Sequence, residues 1–434
     1  MNRSIKQALM LAFMPMCMAA VLLAQEPALK TQVTGLYDFL CGLPADSVTY
    51  RKPSEPFSEE YQVMLRQPLD HSVDSSAVFS QRIFVSFVDS AAPVVLVTEG
   101  YACGHNYLRE LSELLGANQI RVEYRFYGES RPDSIPWDFL NYFQSSRDYH
   151  TIVTMFSTYF TGKWVSTGWS KGGQTALVYR RFFPDDVAAT VAYDAPVNLS
   201  LTEKRIDEFF KSAGSAETRE KLITFQRLVM KNKTRILPLY KEYAEQRGYS
   251  FTRITREKSL EYAVLEYPFS FWQYHKIPAA EIPDSTATAD EMFSHLKKIV
   301  SMGSYTDRAF DSISMRQFST ELGYYGYVTE NVSGFLSEPE DTYTNYAFAP
   351  SWLHNEYNPE FMKDINAWLL EHGHRIIYVY GENDPWSAPR ITIPESIDAC
   401  MVFVPRGNHF SFIRTLPHGK QESVLEKIKG WLAE

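Results

Sequence analysis

Gly168-Trp169-Ser170-Lys171-Gly172 is the feature that most limits what this chain can fold into. It follows the apolar run 163–167 and precedes residues 172–182, whose spacing is helical. A serine between two glycines at a strand-to-helix junction demands a turn too tight for its neighbours to carry a Cβ, and such a turn lifts the serine above the end of a parallel strand. The start of the following helix adds positive partial charge beside the serine oxygen. A glycine-rich turn with a capping serine would read the same way letter by letter; the flanking strand and helix favour the first interpretation.

The surroundings repeat that alternation. Residues 92–97, 119–124, 163–167 and 188–193 are short apolar runs of strand character, separated by helix-like stretches at 106–116, 145–160 and 172–182. Strands spaced by helices imply a parallel sheet with crossovers. The pattern then breaks. Residues 201–245, 286–302 and 307–322 have helical spacing, a Tyr-rich stretch runs over 324–346, and no run alternates as a strand does. Strand character returns at 374–380 and 400–404, with helices at 361–371, closed by Gly373, and 421–433. The expected organisation is a leader at 1–24, a first core segment at 25–197, a helical cap insertion at 198–350 and a second core segment at 351–434.

Composition excludes other classes. The chain has 434 residues, 45% hydrophobic and 22% charged, a soluble globular balance that leaves no room for a disordered chain, a fibre or a multi-span membrane protein. A formal charge of −9 without a basic block argues against nucleic acid as the main partner. Aromatics at 15% suit a large core and an aromatic-lined pocket. Arg3 and Lys6 precede an apolar stretch from Ala8 to Leu23, the layout of a secretory signal peptide, with an N-terminal anchor as the competing reading. Its removal takes away two cations and no acids, leaving −11, and implies a secreted or periplasmic protein with no stable membrane span. Cys41, Cys103 and Cys400 then remain, enough for at most one disulfide. No spacing suggests a metal site, and no cofactor is expected.

A serine needs a base, and the base an orienting acid. Asp384 lies just past the run 374–380, and His409 just past 400–404, so the order is Ser170, Asp384, His409, the order of the α/β-hydrolases. All three would meet at the C-terminal edge of one sheet. Glu382 is an alternative acid, Asp194 reads as a turn or supporting residue, and His418 as surface. The oxyanion hole needs two backbone N–H groups, expected from Lys171 and from Tyr101 in the turn Thr98-Glu99-Gly100-Tyr101.

Residues 122–132, that turn, residues 167–175, Phe183-Pro184-Asp185-Asp186 with residues 192–196, residues 380–386 and Gly407-Asn408-His409 together resemble the secreted bacterial tripeptidyl aminopeptidase family, serine peptidases related to prolyl carboxypeptidase and dipeptidyl peptidase II. The resemblance runs through nearly all of the mature chain, but its specific motifs sit in the two core segments. It implies an α/β-hydrolase core, a helical cap, and release of short peptides, tripeptides foremost, from a free N-terminus. Such an enzyme needs an acid to hold the substrate ammonium. Glu99, Glu123 and Glu129 are the candidates, with Glu99 favoured because its turn faces the expected oxyanion site. Two rivals stay open on sequence: an esterase or lipase of the same fold, since a triad does not separate ester from amide chemistry, and a silent envelope binding protein.

Overall fold

The computed structural model describes residues 35–274, 277–310, 313–349, 352 and 356–434. The expected leader lies outside the described residues. Nine strands form one sheet: β1 Ala45–Arg51, β2 Glu59–Pro68, β3 Val78–Phe87, β4 Val94–Thr98, β5 Asn118–Val122, β6 Trp164–Trp169, β7 Ala189–Tyr193, β8 Ile376–Gly381 and β9 Cys400–Val404. Their order is β1-β2-β3-β5-β4-β6-β7-β8-β9; β1, β2, β3 and β5 pair antiparallel, and every pairing from β5 onward is parallel. The parallel strands β4, β5 and β7 are buried at every position, which is why they read as continuous apolar runs and not as alternation. This is the α/β-hydrolase fold.

The antiparallel extension β1–β3 is the main departure from the sequence expectation, which began its first strand near residue 92. In β2 the buried Tyr61, Val63 and Leu65 alternate with less buried partners, the period of a half-exposed strand. They cover one sheet face together with Ile83, Val85 and Ile120.

Strand order decides where chemistry can occur. β4 lies between β5 and β6, so the chain leaves β4 in one direction and crosses back over it to reach β6. Crevices at such reversals, beyond the carboxyl ends of the strands, are where open α/β sheets hold ligands. Here those ends carry the Thr98–Tyr101 turn and Ser170.

The chain departs the sheet after β7 and returns at β8. The helices Arg205–Ser212, Ala216–Lys231, Lys233–Arg247, Arg256–Tyr274 and Ala289–Ile299 fill this interval and bury an apolar cluster of their own around Phe225, Tyr262, Tyr267 and Leu296. Thr288 and Glu291 form a capping box that starts the last of these. Helix Arg256–Tyr274 is buried on nearly every side and contains Pro268. Proline has no N–H for the Val264 carbonyl four residues back; the Gln226 side chain donates to that carbonyl instead, at 2.8 Å. No helix among the described residues is long and apolar enough to cross a membrane. Cys41, Cys103 and Cys400 are all free thiols.

Candidate active site

Ser170 stands between β6 and helix Lys171–Phe182 at φ 58° and ψ −127°, a conformation L-residues rarely adopt. Close packing enforces it. A Cβ on Gly168 would lie 2.1 Å from the Gly172 carbonyl oxygen, so the strand and the helix meet through bare backbone. A Cβ on Gly100 would stand 2.8 Å from the Gly172 nitrogen, which brings the turn after β4 directly against the start of the helix. The Lys171 amide, at that start, has no carbonyl four residues back inside the helix.

Asp384 and His409 follow β8 and β9, which are paired through Gly381 and Val404. The His409 Nδ1–H donates to Asp384 Oδ2 at 2.7 Å, which leaves Nε2 as the nitrogen available for reaction. The Trp386 amide donates to Asp384 Oδ1 at 3.2 Å, and both residues of the pair are buried. The His409 main chain is held on both sides: its N–H donates to the Gln273 carbonyl at 2.9 Å and its carbonyl accepts from Trp169 Nε1 at 2.6 Å. Phe410 stacks on Trp169.

Asp194 sits behind this pair. Its carboxylate accepts from the Gly381 amide at 3.1 Å and the Ser411 amide at 3.2 Å, tying the loop that carries Asp384 to the loop that carries His409. Burial and the neighbouring Asp384 charge push its carboxyl upward. Donor atoms of Asp194, Asp384 and His409 all lie within 4.8 Å of one another, a spacing that could suit a cation. Each carboxylate oxygen, however, already accepts an N–H from the protein. Glu382, the alternative acid, turns away and accepts from the Arg406 amide; His418 is exposed.

Ser170 and His409 line one cavity of about 930 Å³, walled on the sheet side by Gly100, Tyr101 and Trp386 and on the insertion side by Phe269, Tyr274 and Tyr325. The three candidate anchors fare differently. Glu99 reaches the cavity, but its carboxylate is bound by Arg109 and Arg121. Glu123 is corrected: it is fully buried away from the cavity, bonded to Arg82 and to the Cys103 and Ser130 amides. Glu129 is corrected as well, since it is exposed and outside the cavity wall. The carboxyl that the sequence reading missed is Glu266. It lines the cavity from helix Arg256–Tyr274, accepts from Ser270 Oγ and Tyr325 OH at 2.8 Å each, and is pushed up to about 7 by burial. Its signal was an acid inside the aromatic run 262–272, a costly placement without a purpose.

A family model described as PS-10 peptidase S37 matches residues 30–433. The chain is 29% identical over 418 residues to a prolyl tri/tetrapeptidyl aminopeptidase of Streptomyces mobaraensis, covering 94% of this chain and 87% of that protein. Among solved structures it resembles a proline iminopeptidase of Mycobacterium smegmatis, at 14% identity and TM-score 0.43 over 81% of this chain and 96% of that one. An esterase of Pyrobaculum calidifontis is also similar, at 14% identity and TM-score 0.35 over 87% of each chain. The chain belongs to the PS-10 peptidase S37 family and is a serine peptidase.

Proposed function

We propose that the protein is a secreted exopeptidase that releases short peptides, tripeptides foremost, from free N-termini through Ser170, His409 and Asp384. The observation that carries this reading is the Asp384–His409 pair opening onto the cavity that also holds Ser170 at its strained turn. His409 Nε2 takes the Ser170 proton as Oγ bonds to the scissile carbonyl carbon. The carbonyl oxygen becomes an oxyanion facing the Lys171 and Tyr101 amides. Collapse breaks the C–N bond, the proton passes from His409 to the leaving amine, and water releases the acyl group by the same steps in reverse order.

The insertion serves as the cap that limits substrate size, because its helices form the far wall of the cavity. Glu266 takes the role of ammonium anchor. Glu99 is already neutralised by two guanidinium groups, whereas Glu266 faces the cavity with neutral partners only. Export rests on the apolar N-terminal stretch. The relative's peptide specificity supports the substrate class.

The test combines covalent labelling with matched substrates. A fluorophosphonate should modify Ser170 and leave Ser170→Ala unlabelled and inactive. Tripeptide chromogenic substrates with a free N-terminus should be cleaved roughly 10–150-fold faster, as kcat/KM, than their N-acetyl counterparts, the worth of one charge-assisted hydrogen bond. Equal rates would remove the exopeptidase reading and favour an endopeptidase or esterase.

A further inference from the structure

Lys171 is buried, at 2% exposure, directly after the candidate nucleophile. It makes no ion pair with a described carboxylate. Its Nζ donates to the Gly100 carbonyl at 2.6 Å and to Gln317 Oε1 at 2.8 Å. It sits 4.0 Å from the Tyr124 ring centroid, with the rings of Tyr101, Tyr127 and Tyr142 within 5.7 Å. Gln317, which comes from the insertion, is held in turn, donating to Tyr124 OH at 2.7 Å. A buried amino group is an expensive substitute for a methionine of the same shape, so its presence beside a reaction centre calls for a purpose.

The bond to Gly100 supplies one. The Gly100 carbonyl and the Tyr101 N–H belong to a single planar, trans peptide unit, and point in opposite directions from it. Fixing the oxygen therefore fixes the direction of the N–H. Neighbouring carbonyls are pinned too: Tyr149 OH donates to the Glu99 oxygen at 3.3 Å, and the Tyr124 amide to the Tyr101 oxygen at 3.3 Å. The turn after β4 thus has three successive carbonyls held by three different donors. A donor at one end of a peptide unit also polarises it and strengthens donation at the other end.

The geometry points to the Lys171 side chain as a positioning residue for the oxyanion hole: its backbone N–H is one donor, and its Nζ aims the other by gripping the Gly100–Tyr101 peptide. This rests on the serine-hydrolase reading above. The link through Gln317 makes the same grip depend on the insertion being seated.

Lys171→Met, which keeps the volume and removes the donor, is the direct test. Its readout is the ratio of rates on p-nitrophenyl acetate and p-nitrophenyl thionoacetate. Sulfur is a poor hydrogen-bond acceptor, so the thionoester gains little from an oxyanion hole. Outright removal of an oxyanion donor costs about 10²–10³ in kcat; misaiming one should cost about 10–100-fold on the oxoester, much less on the thionoester, and shrink the ratio about 10-fold or more. KM should change little. Lys171→Gln, neutral but still a donor, covers the case in which the methionine variant does not fold and should lie between it and wild type. Either variant, folded and labelled by a fluorophosphonate yet keeping the wild-type ratio, overturns the inference, since a purely structural lysine would lower both rates together. A wild type that resists the fluorophosphonate overturns the serine reading instead.

Discussion

Glu266 shows how one side chain's surroundings set two observable properties. Its carboxyl is pushed from the ordinary 4.5 to about 7 because burial disfavours the charged form more than Ser270 and Tyr325 compensate. An acid whose folded pKa is raised loses stability as pH rises from its unfolded value through the folded one. Between pH 4 and 8 this amounts to about 3 kcal/mol. Glu266→Gln should therefore raise the melting temperature at pH 8 and have little effect at pH 4. The same substitution should flatten the preference for free over acetylated N-termini, a preference that in wild type should grow as pH rises through about 7 and the carboxylate forms. A variant that keeps the full preference would place the anchor elsewhere. Ser170, Asp384 and His409 were legible as candidates because each follows a strand and their order is informative. The pairing of Glu123 with Arg82 was not, since it depends on β3 and β5 lying side by side across 41 residues of sequence. Nor was the pairing of Glu99 with two arginines, for Arg109 and Arg121 could equally have faced solvent.

Strand and helix meet at the serine turn through glycines, and the elements tolerate nothing larger. Gly168→Ala would drive a Cβ to 2.1 Å from the Gly172 oxygen, a backbone atom with no freedom to swing aside. The helix would have to lift off β6 and carry the Lys171 amide with it. Loss of activity of at least about 100-fold is expected even where the variant folds, because a 1 Å misplacement of reacting groups costs that much. Circular dichroism together with kcat on one tripeptide substrate would check it; a folded, fully active variant would refute the packing argument. At this scale the interior strands were easy to find, since burial on both faces writes an unbroken apolar run. Helix Arg256–Tyr274 was not, because burial all round erases the helical period and Pro268 reads as a stop. The strands β1, β2 and β3 were missed, although Tyr61, Val63 and Leu65 alternate with the less buried Gln62, Met64 and Arg66.

The insertion has an apolar interior of its own, and one small aromatic seam joins it to the loop that carries Asp384. The insertion packs around Phe225, whose ring lies 4.7 Å from that of Tyr267, while the seam joins Ile206, Phe269 and Tyr325 to Trp386, two residues beyond Asp384. Phe225→Ala and Trp386→Ala should each cost about 3–5 kcal/mol of stability, the usual range for emptying an aromatic site. Their effects on rate should differ. Losing Phe225 leaves the seam intact, so kcat should stay within a few-fold of wild type below the melting point. Losing Trp386 loosens the loop whose amide braces Asp384, so kcat should fall with stability. Denaturation curves beside kcat for both variants decide it, and equal rates would show the seam to be irrelevant to the reaction.

Helix Arg256–Tyr274 also ends on the loop of the candidate base, since the Gln273 carbonyl receives the His409 amide and the neighbouring Tyr274 carbonyl accepts from Asn408. Moving this helix away from the cavity would withdraw both partners from the histidine loop. One wall of the cavity and the histidine loop thus share an anchor, so that displacing the first unsettles the second.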